Sequence, residues 1–136
     1  MARALVTDGQ DTFLMGGIGS SVMAGHGNCH HDSYASQIER LWSNVWGAAG
    51  MKFVFQNAGQ GAECGDNHKN QHFCVKQTVS PDVDIVHYLW TYYEGGRAAP
   101  EHENLLRWIQ MLPKQPPLNI FNTGDLQKCS VEDKQN

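Results

Sequence analysis

The sequence predicts an α/β fold, a three-layer α/β/α sandwich around a mainly parallel, flavodoxin-like sheet. Short apolar runs alternate with segments in which apolar residues recur at helical spacing, which is the pattern of strands connected by covering helices. The apolar runs are nearly continuous, as expected of parallel strands buried on both faces. The chain has 136 residues, of which 40% are hydrophobic, enough for one domain with its own core. We therefore expect a single domain over residues 1–136, ending in a polar tail at 124–136.

The first half of the chain carries two predicted strands and one long helix. A strand over 12–18 is followed by a helix near 33–49, which Asp32 or Ser33 can cap, and a second strand covers 52–57. The apolar residues at helical spacing are Tyr34, Ile38, Leu41, Trp42, Val45 and Trp46. We expect the two tryptophans to pack on the sheet.

The second half continues the alternation. A glycine loop and a weaker helix near 67–79 precede a third strand over 83–91, the best candidate for the sheet centre. His87 lies inside that strand and is expected to be a hydrogen-bonded core residue. A helix begins at Pro100, and a fourth strand over 118–122 follows it. The apolar face of this helix is predicted to consist of Leu105, Leu106, Ile109 and Leu112.

Charge and hydropathy exclude several classes of protein. The net charge of −4 and the scattered lysines and arginines argue against nucleic-acid binding. No run approaches the roughly 18 apolar residues of a membrane span. If Met1 is the true start, no signal peptide opens the chain, and the sequence leaves the localisation open.

The most informative segment runs from Thr12 to Gly25, where an apolar run breaks into glycines and two serines. Ligands gather at the carboxyl ends of strands in open α/β sheets, so Ser20 and Ser21 lie where chemistry is expected. A dinucleotide site is disfavoured because Val22 replaces the third glycine of G-x-G-x-x-G and no acidic residue ends the second strand. A phosphate loop is excluded because no Gly-Lys-Ser or Gly-Lys-Thr follows. We expect no cofactor.

The segment Gly19-Ser20-Ser21-Val22-Met23-Ala24-Gly25 resembles the first block of the SGNH, or GDSL-type, esterases and lipases, Gly-Asp-Ser-Leu-x-x-Gly. The resemblance implies that Ser21 is the nucleophile. Ser20 stands where the family has aspartate. The resemblance further implies hydrolysis of carboxylic esters, with a small molecule or an acylated carbohydrate as substrate.

A second resemblance lies at 52–62, where a strand ends in Asn57 and a glycine-bearing loop follows. In the family, a backbone N–H of this loop helps to form the oxyanion hole. The resemblance implies that Gly61 supplies that N–H, with Gly59 and Gly65 as alternatives.

A third resemblance lies at 81–91, matching the family strand that runs into Gly-x-Asn-Asp. This chain continues instead with Thr91-Tyr92-Tyr93-Glu94 and lacks the asparagine donor. A hydroxyl of Tyr92 or Tyr93 would substitute if it lay about 3 Å from the developing oxyanion. We place Tyr92 in the oxyanion hole. The substrate pocket is predicted to be lined by Ser20, Asn57, Gly59 and Thr91.

The last block of the family, an Asp-x-x-His at the end of the domain, supplies the catalytic base and has no match at the end of this chain. His102 is the last histidine, and the resemblance covers about residues 11–123. We expect four of the usual five strands, in the order 2-1-3-4, from a chain truncated before that block or from a degenerate relative. Catalysis through Ser21 is then expected to be weak or absent. The uncovered fourth strand would need a partner or a missing segment at its edge.

Histidines and cysteines support an alternative function. They form two groups, after the first and the second strand: His26, Cys29, His30 and His31, then Cys64, His68, His72 and Cys74. Histidines four apart with one cysteine could bind zinc, but the spacing matches no Cys-x-x-Cys finger, and histidines in polar loops are mostly solvated. No metal ligand is therefore assigned, and a non-catalytic or zinc-binding module remains the alternative. A disulfide between Cys64 and Cys74 is expected only in an extracellular protein.

Overall fold

The computed structural model describes residues 9–27, 29–60, 74–90 and 99–121. Four strands form a parallel sheet in the order β2-β1-β3-β4: β1 (Thr12–Gly19), β2 (Lys52–Asn57), β3 (Ile85–Leu89) and β4 (Leu118–Ile120). The helices are α1 (Ser21–Ala24), α2 (Tyr34–Ala48), α3 (Val75–Thr78) and α4 (Ala99–Gln110), with a 3₁₀ turn at His30–Asp32. The predicted α/β fold and its strand order are confirmed. Among the described helices, none is long and apolar enough to cross a membrane.

One face of the sheet is covered by α2, and aromatic rings form this layer. Trp46 stacks on Phe13 with ring centroids 4.1 Å apart, and Trp42 lies 6.3 Å from Phe53. The predicted packing of the two tryptophans is therefore confirmed. The helix starts where Ser33 accepts a hydrogen bond from the Ser36 N–H at 3.3 Å, one of the two predicted caps.

Two of the apolar residues that recur at helical spacing in α2 are exposed to solvent. Leu41 and Val45 keep 68% and 62% of their surface in water. The sheet-facing residues Ile38, Trp42 and Trp46 are four apart, so they form one row along the helix. Leu41 and Val45 each precede a member of that row by one position, which turns them about 100° away from the sheet.

The opposite face of the sheet is covered by α3 and α4. Leu105 and Ile109 of α4 are fully buried and pack with Val75 of α3. Leu106, predicted to belong to the apolar face of this helix, is 43% exposed. The described part of α3 is shorter than the predicted helix at 67–79, of which residues 67–73 lie outside the described ranges. With α2 on one face and these helices on the other, the three-layer arrangement is complete.

His87 of β3 is buried on the α2 side of the sheet, with 4% of its surface exposed. Its Nε2 lies 2.9 Å from the Tyr34 hydroxyl, and its Nδ1 lies 3.0 Å from the side-chain amide nitrogen of Asn119. The prediction that His87 is a hydrogen-bonded core residue is confirmed. Burial lowers the pKa of His87 to about 4.

The fourth strand forms one edge of the described sheet. It pairs with β3, and within the described ranges no further strand lies beyond it. Ile120 and Phe121 keep 38% and 47% of their surface exposed. The predicted apolar edge is therefore present, and exposed strand edges of this kind promote association.

A substitution at Trp46 tests the aromatic layer. The ring is 4% exposed, and its Nε1 has no hydrogen-bond partner among the described residues. Because phenylalanine keeps the stacking and removes the unpaired donor, we expect Trp46→Phe to change the free energy of unfolding by less than about 1.5 kcal/mol. Trp46→Ala should lose about 3–5 kcal/mol. Urea unfolding of both variants checks this, and a large loss in Trp46→Phe would contradict it.

Candidate active site

Ser20 forms the corner between β1 and α1. Its backbone is extended (φ −80°, ψ −163°), and its Oγ accepts a hydrogen bond from the Val22 N–H at 3.3 Å. The Ser20 carbonyl accepts from the Ala24 N–H at 3.0 Å. The side chain is fully buried. Ser20, predicted to line the substrate pocket, is therefore the N-cap of the helix and supports the corner from inside.

The other end of α1 is closed by Gly25 in the left-handed conformation, with φ +87°. The Gly25 N–H donates to the Val22 carbonyl at 3.2 Å, and the His26 N–H donates to the Ser21 carbonyl at 2.8 Å. This pair of bonds is a Schellman motif. A Cβ at position 25 would lie 2.7 Å from the Ser33 Cβ, so glycine is required there for space as well. The single turn of helix is thus fixed at both ends.

Ser21 is the first residue of α1 and is half-buried. Neither its hydroxyl nor its backbone N–H makes a hydrogen bond to another described residue. The first N–H groups of a helix have no intrahelical acceptor, so the Ser21 amide is available to a ligand. The two serines therefore differ: the Ser20 hydroxyl caps the helix, whereas the Ser21 hydroxyl makes no hydrogen bond to the described residues.

The loop after β2 continues alongside the end of β1. The Ala58 N–H donates to the Gly17 carbonyl at 2.8 Å, and the Gln60 N–H donates to the Gly19 carbonyl at 2.9 Å. Between them, the Gly59 N–H donates to the Asn57 Oδ1 at 2.9 Å. Since these three amides already have acceptors, Gly59 is not a free oxyanion donor, although it was an alternative to Gly61.

This loop is packed directly against α1. A Cβ at Gly59 would lie 2.4 Å from the Ala24 nitrogen and 2.8 Å from the Met23 carbonyl carbon. Only a residue without a side chain allows that approach. Gly59 was predicted to line the pocket. In the structure it is the loop residue that packs against the backbone of the helix that carries Ser21.

Asn57 joins the same two segments through its side chain. Its Nδ2 donates to the Met23 carbonyl of α1 at 2.8 Å, while its Oδ1 accepts from Gly59. Asn57 was predicted to contact the substrate; in the structure its carboxamide is hydrogen-bonded to backbone at both ends. Several other predicted site residues lie outside the described ranges: Gly61, Gly65, Thr91, Tyr92 and Tyr93.

No described histidine is hydrogen-bonded to Ser21. His26 follows α1 and is exposed. His87 is buried in β3, and the His102 ring lies edge-on to Tyr88 with centroids 5.3 Å apart. The described residues thus contain the proposed nucleophile and its supporting loop, without a base in contact with them.

An open cavity of about 560 Å³ lies between α1 and α2, and its lining includes Val22, the residue after Ser21 in the chain. Its lining mixes apolar and polar side chains: Val22, Asp32, Tyr34, Gln37, Ile38, Arg40 and Leu41. The sequence did not point to this surface, because Leu41 recurs at helical spacing together with the residues that face the sheet. One feature of the sequence could have revealed it. Leu41 lies one position before Trp42, so it is outside the row formed by Ile38, Trp42 and Trp46 and faces away from the sheet.

The zinc alternative gains no support from the described residues. They contain no group of three or more histidine, cysteine, aspartate or glutamate side chains placed to hold a metal. Cys29 and Cys74 are exposed free thiols. The remaining candidates, Cys64, His68 and His72, lie outside the described ranges.

Comparison with solved structures identifies the fold. CEX, a two-domain esterase active on acetylated mannans, superposes with a TM-score of 0.70 over 90% of this chain and 32% of that chain, at 17% identity. AlinE4, an SGNH-hydrolase family esterase, superposes with a TM-score of 0.58 over 80% of this chain and 58% of that chain, at 16% identity. This chain has the SGNH-hydrolase fold.

The resemblance to SGNH esterases predicted from three short motifs is thus confirmed at the level of the fold. The sequence matches no protein-family model and no curated protein. The chain spans about a third of CEX and less than two thirds of AlinE4. Within the SGNH fold, the corner at Ser20 and Ser21 lies at the carboxyl edge of the sheet, where ligands of open α/β sheets bind.

Proposed function

We propose that this protein is an SGNH-type ester hydrolase that forms an acyl-enzyme at Ser21. The observation that carries the proposal is the contrast between two adjacent serines. The Ser20 hydroxyl is used as a helix cap, whereas the Ser21 hydroxyl and amide are unengaged by described residues at the end of β1. The β2 loop packs on the same turn, as an oxyanion loop must.

The proposed reaction has two steps. The Ser21 Oγ attacks the acyl carbon of the ester, the bond to the alcohol oxygen breaks, and the alcohol leaves with the proton that Ser21 gave up. Water then adds to the acyl-enzyme, releasing the carboxylic acid and restoring Ser21. The backbone N–H groups of Ser21 and Gly61, with the hydroxyl of Tyr92, are the proposed donors to the oxyanion in both steps.

The speed of this reaction depends on a base. In the resembled family an Asp-x-x-His block near the end of the domain supplies it. The one such spacing in this sequence runs from Asp84 to His87, and His87 is buried in β3 and hydrogen-bonded to Tyr34 and Asn119. Loss of one triad member lowers kcat by about 10⁴ to 10⁶ in serine hydrolases. We therefore expect slow turnover from this chain, and we expect covalent labelling of Ser21 to be a more sensitive measure than hydrolysis.

An acylated carbohydrate is the substrate class that we propose. CEX is active on acetylated mannans. The cavity that includes Val22 in its lining supports the same class here, because Asp32, Gln37 and Arg40 offer donors and acceptors for sugar hydroxyls beside apolar surface. A cavity that binds a long acyl chain would instead be expected to have an entirely apolar lining.

Labelling with a fluorophosphonate probe tests the nucleophile. We expect the protein to be labelled and Ser21→Ala to lose the label completely, because the probe bonds to the Ser21 Oγ. Ser20→Ala should keep the label while losing about 1 kcal/mol of stability as a capping residue. Ser43→Ala, an exposed serine of α2, is the control for surface changes. An unlabelled protein, or a label that survives in Ser21→Ala, would overturn the assignment.

A further inference from the structure

We propose that Asn57 is a positioning residue, which fixes the oxyanion loop to the helix carrying the nucleophile. The inference rests on the proposed function of Ser21 and deepens it. It assigns to Asn57 a role through the backbone of α1 and of the β2 loop, in place of contact with the substrate.

The carboxamide of Asn57 is matched to two backbone groups of opposite polarity. Its Nδ2 donates to the Met23 carbonyl at 2.8 Å, and its Oδ1 accepts from the Gly59 N–H at 2.9 Å. Met23 belongs to the only turn of α1, where carbonyls near the helix end have no intrahelical donor. One side chain thus makes a hydrogen bond to both the helix and the loop.

The loop amides around Asn57 act together. Ala58 and Gln60 donate to the carbonyls of Gly17 and Gly19 in β1, and Gly59 donates to Asn57. Three successive amides therefore have fixed acceptors, and Gly61 is the next residue in the chain. Any shift of Asn57 moves Gly59, and with it the start of the segment that carries the proposed Gly61 donor.

Close packing makes this connection stiff. Gly59 lies against the Met23 and Ala24 backbone with no room for a Cβ. Removing the Asn57 carboxamide takes away the bond that holds these backbones in contact at that distance. A 1 Å displacement of a catalytic group lowers reaction rates by about 10²-fold.

The neighbouring residue Gln56 provides a matched control. Its Oε1 accepts from the Ser80 N–H at 2.7 Å, and its Nε2 donates to the Thr78 carbonyl at 3.4 Å. Gln56 therefore makes the same kind of side-chain bridge from the same strand, toward α3 and away from Ser21. Gln56→Ala should destabilise the protein about as much as Asn57→Ala, without moving α1.

Two measurements on the whole protein test the proposal. Hydrogen exchange should accelerate at the Gly59 amide in Asn57→Ala and at the Ser80 amide in Gln56→Ala. Fluorophosphonate labelling should show a maximal rate about 10²-fold lower in Asn57→Ala, with the half-saturating probe concentration unchanged, and wild-type kinetics in Gln56→Ala.

The outcomes separate the two proposals. Labelled wild type with equal labelling of Asn57→Ala would overturn the role of Asn57 and leave Ser21 as nucleophile. Unchanged exchange at Gly59 in Asn57→Ala would overturn the positioning role whether or not the protein is labelled. An unlabelled wild type would overturn the proposed function, and the catalytic part of this inference with it. Equal loss of labelling in Gln56→Ala would show a general effect of stability and overturn the specific role.

Discussion

Acidification from pH 7 to pH 4 is expected to remove about 3 kcal/mol of folding stability through His87 alone. Burial lowers the pKa of this imidazole to about 4, from an ordinary value of 6.5 in the unfolded chain. Each unit of such a difference corresponds to about 1.4 kcal/mol. Between pH 6.5 and 4 the unfolded chain binds a proton that the folded protein does not, so stability falls as pH falls.

The surroundings of His87 explain why the folded protein keeps it neutral. The Asn119 amide nitrogen faces Nδ1 at 3.0 Å, so Nδ1 accepts, and the proton of the neutral ring lies on Nε2, toward the Tyr34 hydroxyl. A second proton, on Nδ1, would face another donor. Burial raises the pKa of Tyr34, which stays uncharged throughout this range. The rings of Phe55 and Phe121 complete the site and offer no counter-charge.

Urea unfolding at several pH values between 7 and 4 measures the effect. His87→Gln should be less stable at pH 7 but should lose about 3 kcal/mol less than the wild type on acidification, since glutamine has no proton to bind. His26→Gln is the control because His26 is exposed. A pH dependence identical in wild type and His87→Gln would show that this imidazole is not held neutral.

The strands were predictable because they depend on short-range patterns, whereas their order followed from the resemblance to the SGNH family. Lys52–Asn57 was predicted with its observed limits, since a buried parallel strand is a continuous apolar run between polar ends. The packing of Trp42 and Trp46 followed from helical spacing. Leu41 and Val45 belong to the same broad apolar stripe of the helix but are exposed, because only the position of the sheet decides which edge of the stripe is covered.

The candidate site was predictable only in part. Motif resemblance chose Ser21 over Ser20, and the hydrogen bonds of the corner support the same choice. The positions of Asn57 and Gly59 depend on contacts between residues more than 30 apart in the chain, to which no local pattern corresponds. The asparagine at the end of the strand was therefore predicted to line the substrate pocket. In the structure its carboxamide makes hydrogen bonds to the backbone of the helix and of the loop.

Gly59→Ala is expected to lower the rate of Ser21 labelling by about 10²-fold and to cost about 1–3 kcal/mol of stability. The new methyl group would lie 2.4 Å from the Ala24 nitrogen and 2.9 Å from the Ala24 Cα. These are backbone atoms, which cannot rotate out of the way as a side chain would. The steric clash is relieved only if the loop moves away from the helix. Ordinary van der Waals contact distances imply that the loop moves by about 1 Å.

Gly47→Ala is the matched control, because the same chemical change should act with the opposite sign. Gly47 lies inside α2, and a Cβ there would meet nothing within 4 Å. Alanine is favoured over glycine in a helix by about 0.5–1 kcal/mol, so this variant should be more stable and label normally. Calorimetry and labelling kinetics distinguish the two. Equal labelling rates in Gly59→Ala and Gly47→Ala would show that the β2 loop does not lie against the helix that carries Ser21. The loop could then not place an N–H donor at the oxyanion, and its proposed role would be wrong.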